Sequence, residues 1–340
     1  MFRLSLRDAY VVPRTELSFP AHRVKMYENA TRATVDAVMA DLEDACPPEF
    51  KGDKSRSTLV DALNSVDFGH KVVCVRPNGI QTDYFSGDVE AVVLGAPDRF
   101  HGIVLPKSER AEDIADLCHL LDTLEKKGGW RGRLQIEALV ETPLGLINAF
   151  EIATSSDRMA GLIFGVADFG AALGVREVFE EQNRNFLYAK QAIVVAAKAA
   201  GLHAIDSVYG RLVRKDSLPE EARAIENALR QKNAEAARMG MDGSMIIHPA
   251  QAEVVNACFT PTKEQAERAK QAVELYCDMG GGSVFNPLTG EFEDEATIKI
   301  KLADLAKAVQ AALVGEDCVS ILTKRLANLS ASSLGSGGVR

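Results

Sequence analysis

The sequence predicts an α/β fold, a TIM-type (β/α)8 barrel with a small C-terminal helix–hairpin–helix extension. From residue 15 to about 250, short β-branched runs alternate eight times with stretches of helical period, the pattern of parallel strands joined by covering helices. Six of the strand-like runs also end in charged or metal-seeking residues: Glu43 and Asp44, Arg76, Lys107, Glu141, Asp168 and His248. Parallel barrel strands open all their C-terminal ends on one face, so residues distant in sequence converge there. The length of 340 residues exceeds an ordinary barrel of about 250 by enough for an appended unit. The expected division is a barrel with a short N-terminal extension over 1–258, a lid or oligomerisation extension over 259–325, and a flexible tail over 326–340.

The strands read TELSFP (15–20), VDAVMADLE (35–43), KVVCVRP (71–77), GIVLPK (102–107), LQIEALVE (134–141), GLIFGVAD (161–168), HAIDSVY (203–209) and GSMIIHP (243–249). Several are apolar on both faces, as befits strands buried between a barrel interior and outer helices. Among the helices, residues 183–200 place Phe186, Ala189, Ile193, Val194 and Ala197 on one stripe, with Gly201 as the stop. After His248 the pattern changes to a helix around 262–279, a glycine turn at 280–282, a hairpin bending at NPLTGEF, and a helix from about 296 to 314. The closing SASSLGSGGVR is too polar and glycine-rich to pack by itself.

A net charge of −9 and a pI of about 5.3 argue against broad nucleic-acid binding, which needs a basic face to displace phosphate counterions. No run of 18 apolar residues occurs, so no membrane span is expected. The N-terminus lacks the apolar core of a secretory signal, and the six cysteines show no CxxC spacing; a cytoplasmic protein with reduced thiols is the expectation.

Glu141 in ALVETPLG and Asp168 in FGVADFG each follow an apolar run. Both are expected at strand tips, where two carboxylates suit Mg²⁺, a cation that leaves its other positions to water and substrate. The alternative is that one of them caps the following helix. Arg76 ends an apolar strand; it is expected to pair with a buried carboxylate and to offer a planar fork to an oxygen that becomes negative. Within Asp41, Glu43 and Asp44 only part of the trio can face the pocket. Glu43 is favoured for orienting Arg76, and Asp44 for a metal-bound water. His248 before a proline reads more readily as a hydrogen-bonded structural element than as a general base. His22, Arg23 and Lys25, with Lys51, Lys54 and Arg56, lead two helices and could bind phosphates; ordinary solvated charge is the competing reading.

At ADLEDA, CVRPNG, VLPK, ALVETPLG, FGVADFG, AIDSVYG and IIHPAQ, in this order, the chain resembles the citrate lyase β-subunit-like proteins of the HpcH/HpaI aldolase superfamily, which include malyl-CoA and citramalyl-CoA lyases. The resemblance spans about residues 15–310. It implies a homo-oligomer, a trimer or a dimer of trimers, that uses Mg²⁺, or alternatively Mn²⁺, to cleave a carbon–carbon bond beside a coenzyme A thioester. It assigns Glu141 and Asp168 to the metal and Arg76 to the thioester carbonyl, and it makes CoA the phosphate-bearing ligand expected at the basic residues His22, Arg23, Lys25, Lys51 and Arg56. It also assigns Asp294, in GEFEDEATIK, to a neighbouring subunit's active site as acid or base. Two departures stand out: Phe19-Pro20-Ala21 where relatives often have VPG, and Gly243-Ser244 where they often have GK. The short segment between Asp168 and the helix at 183 is closer to the citramalyl-CoA lyase and citrate-lyase-like branch. Rival activities are a citrate lyase β-subunit acting on an acyl carrier protein, a thioesterase or malate-synthase-like reaction, and a CoA-independent pyruvate aldolase.

Overall fold

The structure, a computed structural model, describes residues 12–179, 184–214, 216–287, 289–315 and 317–335. Eight parallel strands close into a barrel: β1 (Thr15–Pro20), β2 (Ala37–Asp41), β3 (Val72–Arg76), β4 (Gly102–Leu105), β5 (Gln135–Val140), β6 (Met159–Phe164), β7 (His203–Asp206) and β8 (Gly243–Ile246). Pairing of β8 with β1 shuts the sheet, so no strand edge is left exposed. Every expected strand is present, and most end before the charged residues that the sequence places at their tips. Glu43 lies beyond the end of β2, and Asp168 sits in the first turn of the helix Val166–Leu173 instead of on β6. The switch occurs at Gly165, after which VADFGAAL has helical character and an acid in the first turn suits the helix dipole.

The helix Leu187–Ala199 buries Ala189, Ile193, Val194 and Ala197, and Gly201 follows it at a φ of 72°, the left-handed geometry that glycine adopts without a Cβ penalty. Inside the barrel, Met39, Cys74, Val104, Leu139, Ile163, Ile205 and Met245 form an apolar plug. None of the six cysteines forms a disulfide, and three are buried. No described helix is long and apolar enough to cross a membrane.

The barrel interior also holds a polar layer that composition did not reveal. Glu16 on β1, Cys74 on β3, Glu137 on β5 and His203 on β7 are all buried, and alternate strands contributing one layer is the usual barrel arrangement. His203 Nε2 lies 2.5 Å from Glu137 Oε1. Gly161 makes room for that ring, because a Cβ there would fall 2.2 Å from His203 Nε2. Neither oxygen of Glu16 has a hydrogen-bond partner, and burial, then the Glu137 charge, hold its carboxyl well above the usual carboxylate range. A raised carboxyl means that folding takes up a proton: its contribution is fully present below the unfolded value of 4.5 and is lost as pH rises through the folded value. Glu16→Gln, a neutral isostere of the acid, is therefore expected to flatten the decline in melting temperature as pH rises above the unfolded value of 4.5 and to melt a few degrees above wild type at the alkaline end. Parallel pH profiles of the two proteins would contradict this.

The chain divides into two compact units, Met1–Cys258 and Phe259–Arg340. The second contains the helices Lys263–Asp278, Glu295–Gln310 and Asp317–Gly335 and a hairpin of β9 (Val284–Asn286) with β10 (Glu291–Glu293). Its own core includes Val273, Ile298, Leu302, Leu305, Leu322 and Leu326. Residues 326–335, expected to fray, instead continue the last helix; Leu322 and Leu326 anchor that helix in the core. Residues 336–340 lie outside the described residues.

Candidate active site

Asp41 and Arg76 are register partners at the C-terminal ends of β2 and β3, so both turn inward at the barrel mouth. Arg76 donates from Nε to Asp41 Oδ1 at 2.8 Å and from Nη2 to Oδ2 at 2.5 Å, a two-pronged bond that fixes the guanidinium plane. The backbone N–H groups of Glu43 and Ala45 donate to the same carboxylate at 2.8 and 3.0 Å. Burial opposes the charge on Arg76, but Asp41, then Glu43 and Glu141, more than restore it. The expectation that Glu43 orients Arg76 is therefore corrected: Asp41 does. Asp41 is the last residue of the strand and faces in, whereas Glu43 follows two residues after the strand has ended. Glu43 Oε2 faces Arg76 Nη1 at 3.4 Å without forming a hydrogen bond.

Lys107, which follows β4, has a φ of 50°, unusual for a residue with a Cβ. This turn sends the chain's groups in two directions. The Lys107 backbone N–H donates to Glu141 Oε1 at 2.8 Å, while its ammonium donates to Glu43 Oε1 at 2.5 Å. Burial works against the ammonium, but Glu43, Glu141 and Asp44 hold its pKa up to about 12. Asp44 lies 4.0 Å from Lys107 Nζ with a side chain that is 55% exposed.

Glu141 follows β5 directly and is buried. It does not cap the helix that comes next: Thr142 does, accepting from the Gly145 N–H at 3.1 Å. Burial and the Glu43 charge raise the Glu141 carboxyl to about 8, with Asp168 adding to the rise and Arg76 and Lys107 opposing it. Asp168 is thus close enough to act on Glu141 electrostatically, and it is half-buried. Five acids, Asp41, Glu43, Glu141, Asp168 and the more exposed Asp44, here meet two cations, Arg76 and Lys107, a formal excess of negative charge. Hard carboxylate oxygens with that excess suit a divalent cation such as Mg²⁺, which would displace the proton that burial keeps on Glu141.

Gly165 is a packing requirement of this site. A Cβ on it would lie 2.4 Å from Glu141 Cβ and 2.6 Å from Glu141 Oε2, closer than non-bonded atoms approach. Gly165→Ala is expected to push Glu141 aside and weaken divalent-cation affinity by about 10- to 100-fold, the range for disturbing a ligand's support, with the barrel still folded by circular dichroism. Unchanged affinity would remove Gly165 from the site.

The basic residues expected at a phosphate site divide. Lys51 and Arg56 line one cleft of about 730 Å³ together with Asn78 and Tyr84. Lys51 donates to Asn78 Oδ1 at 2.6 Å, and Arg56 to Asp88 Oδ1 at 2.8 Å and to the Tyr84 carbonyl at 3.0 Å. His22 stacks on Phe50, which precedes Lys51, with ring centres 4.7 Å apart, and Arg23 Nε lies 3.3 Å from His22 Nε2. Lys25 is exposed on the helix Val24–Arg32. His248 accepts from the Ala250 N–H at 3.2 Å, which makes it the cap of the short turn Pro249–Gln251, the structural reading of the sequence. In the second unit, Asp294 is exposed and caps the helix Glu295–Gln310, accepting from the Thr297 N–H at 2.9 Å.

Two features escaped the sequence. One is the Asp41 clamp. The other is a knot behind β7, where buried Asp206 accepts from Lys190 at 3.0 Å and pairs with Lys232 at 2.9 Å. Burial works to raise the Asp206 carboxyl, but the two lysines override it and hold the pKa at about 2. The Lys232 ammonium also donates to Ser244 Oγ at 3.0 Å, so the knot fastens the helices Leu187–Ala199 and Pro219–Met239 to the barrel wall.

A β/α barrel with a fixed arginine and buried acids at the C-terminal mouth of its strands belongs to the class of barrel enzymes that carry their active sites on that face. The comparisons narrow it. Residues 14–249 match the family described as HpcH/HpaI aldolase/citrate lyase. A citrate lyase subunit beta from Leuconostoc mesenteroides subsp. cremoris is 31% identical over an alignment covering 84% of this chain and 89% of that one. An L-malyl-CoA/beta-methylmalyl-CoA lyase from Cereibacter sphaeroides is 27% identical, covering 92% of this chain and 96% of that one. Among solved structures, CitE from Mycobacterium tuberculosis in complex with magnesium, acetoacetate and coenzyme A superposes with a TM-score of 0.67 at 26% identity, covering 87% of this chain and 97% of that one. The chain belongs to the HpcH/HpaI aldolase/citrate lyase family and is a carbon–carbon lyase.

Proposed function

We propose that this lyase is Mg²⁺-dependent and cleaves a malyl-CoA- or citramalyl-CoA-type thioester, reversibly, into acetyl-CoA or a related acyl-CoA and a 2-keto acid. The observation that carries the reading is the mouth itself: an arginine clamped by Asp41 with Nη1 left without a hydrogen bond, beside the electrostatically coupled acids Glu141 and Asp168. Glu141 and Asp168 would hold the metal, which when bound supplies Lewis-acid polarisation of the hydroxy-acid oxygens. Arg76 Nη1 donates to the thioester oxygen as negative charge moves onto it, and because Asp41 already fixes the fork, little reorganisation is needed during reaction. Lys51 and Arg56 suit the CoA phosphates, with His22, Arg23 and Lys25 on the adjoining segment. Asp294, exposed at its helix start, suits transfer of a proton to or from the acyl carbon in a second copy of the chain, within a trimer or a dimer of trimers.

A second reading has an observation in its favour: the Leuconostoc relative is a citrate lyase subunit beta, which suggests an acyl-carrier-bound substrate. One experiment separates the readings. The purified chain is incubated with Mg²⁺ and malyl-CoA, citramalyl-CoA, citryl-CoA and a citryl-loaded acyl carrier protein, and keto acid and acyl thioester are both quantified. Turnover of a free CoA ester supports the proposal, whereas turnover of the carrier-bound substrate alone supports the second reading.

A further inference from the structure

We propose that Lys107 is a positioning residue that keeps Glu43 off the working nitrogen of Arg76. The inference rests on the role given to Arg76 above and adds a residue that holds it available.

The geometry has three parts. Arg76 spends Nε and Nη2 on Asp41, so Nη1 is the nitrogen left to meet a substrate oxygen. Glu43 stands against that nitrogen: its Oε2 is 3.4 Å away, is buried, and has no hydrogen bond. A buried carboxylate oxygen without a partner gains by closing on a guanidinium N–H. What holds it back is its other oxygen, which accepts from Lys107 Nζ at 2.5 Å. Lys107 thus competes with Arg76 for Glu43.

The backbone supports the same conclusion. A φ of 50° is a conformation that glycine adopts without strain and most side chains resist, yet lysine stands here. Its N–H alone, donated to Glu141 Oε1, would be supplied equally by glycine. The side chain is therefore the reason for lysine, and it faces Glu43 and, farther off, Asp44. Without the ammonium, Glu43 is free to rotate onto Nη1 and occupy the place of the substrate oxygen.

Three variants test this in the full-length protein: Lys107→Met, Lys107→Gly, and Lys107→Met combined with Glu43→Gln. Lys107→Met and Lys107→Gly are both expected to lower kcat at least about tenfold, the lower end for loss of a residue that supports a site group, although glycine relieves the backbone. Mg²⁺ affinity, measured by calorimetry, is expected to stay within about threefold because the N–H to Glu141 remains, a change small on the 1.4 kcal/mol scale of a tenfold effect. In the double variant the neutral amide no longer competes strongly for Nη1, and kcat is expected to recover most of the loss, a coupling that a merely structural lysine would not show. A crystal structure of Lys107→Met is expected to show Glu43 hydrogen-bonded to Arg76 Nη1. Unchanged kcat in both single variants, additive losses in the double variant, or a Glu43 that stays in place would each overturn the proposal. If the wild type cleaves none of the thioesters, the reading of the reaction fails, and the position of Glu43 in the variant crystal still decides this one.

Discussion

Glu141→Gln is expected to abolish divalent-cation binding and to lower kcat/KM by at least about 10³-fold, since metal-based charge stabilisation is worth several kcal/mol and each 1.36 kcal/mol is a factor of ten. The amide keeps the shape of the side chain and can still accept the Lys107 N–H that Glu141 Oε1 accepts at 2.8 Å. What it cannot do is carry charge. The wild-type carboxyl is buried and, under the Glu43 charge, is raised to about 8, so its ionised form is costly in the absence of a cation. Removing it should leave thermal stability unchanged or slightly higher while function is lost. Calorimetric Mg²⁺ titration and a melting curve of the same preparation check both halves. Near-normal activity in Glu141→Gln, or in the wild type with chelator present, would take Glu141 out of the reaction.

Arg76→Lys is expected to lower kcat by at least about 10²-fold, the scale for removing one donor aimed at a developing oxyanion. Charge is retained, so a purely electrostatic role would survive the change. Fork geometry is not retained: lysine cannot bond both oxygens of Asp41 in the plane and still present a third nitrogen outward. The buried Asp41 also accepts two backbone N–H bonds, so it stays in place and draws the new ammonium down toward itself. Steady-state kinetics decide the matter. A fall in kcat supports transition-state stabilisation, whereas a rise in KM alone would mean that Arg76 only binds substrate.

The barrel was legible because eight apolar runs at regular spacing leave few alternatives, and the residues after them converge on one face whatever the detail. Arg76 and Glu141 were legible for that reason: each is a charge that directly follows an apolar stretch, VVCV before Arg76 and ALV before Glu141. The division of labour among Asp41, Glu43 and Asp44 was not. It depends on where β2 stops, and the stop at Asp41 leaves no mark in a sequence that reads VDAVMADLEDA. Lys107 was visible as a charge but not as a hinge, because a left-handed lysine has no sequence signature. The pairing of Glu137 with His203 spans 66 residues and exists only once β5, β6 and β7 lie side by side. Gly165 lay inside the expected strand GLIFGVAD; its use, leaving space for the Glu141 carboxylate, appears only when two strands are adjacent. In the second unit, the helix and hairpin pattern was legible, but the last helix ran on past residue 326, where Leu326, read from the sequence as the start of the tail, finds a core.

The most direct single measurement is the stoichiometry of products from citramalyl-CoA or malyl-CoA, followed by simultaneous detection of acyl-CoA, keto acid and free CoA with Mg²⁺, with chelator, and after Mg²⁺ is restored. The expected result is one acyl-CoA for each keto acid, no release of free CoA, loss of the reaction in chelator and its return with the metal. Release of free CoA from an intact hydroxy-acid chain, or carbon–carbon cleavage that proceeds unaffected by chelator, would contradict the account.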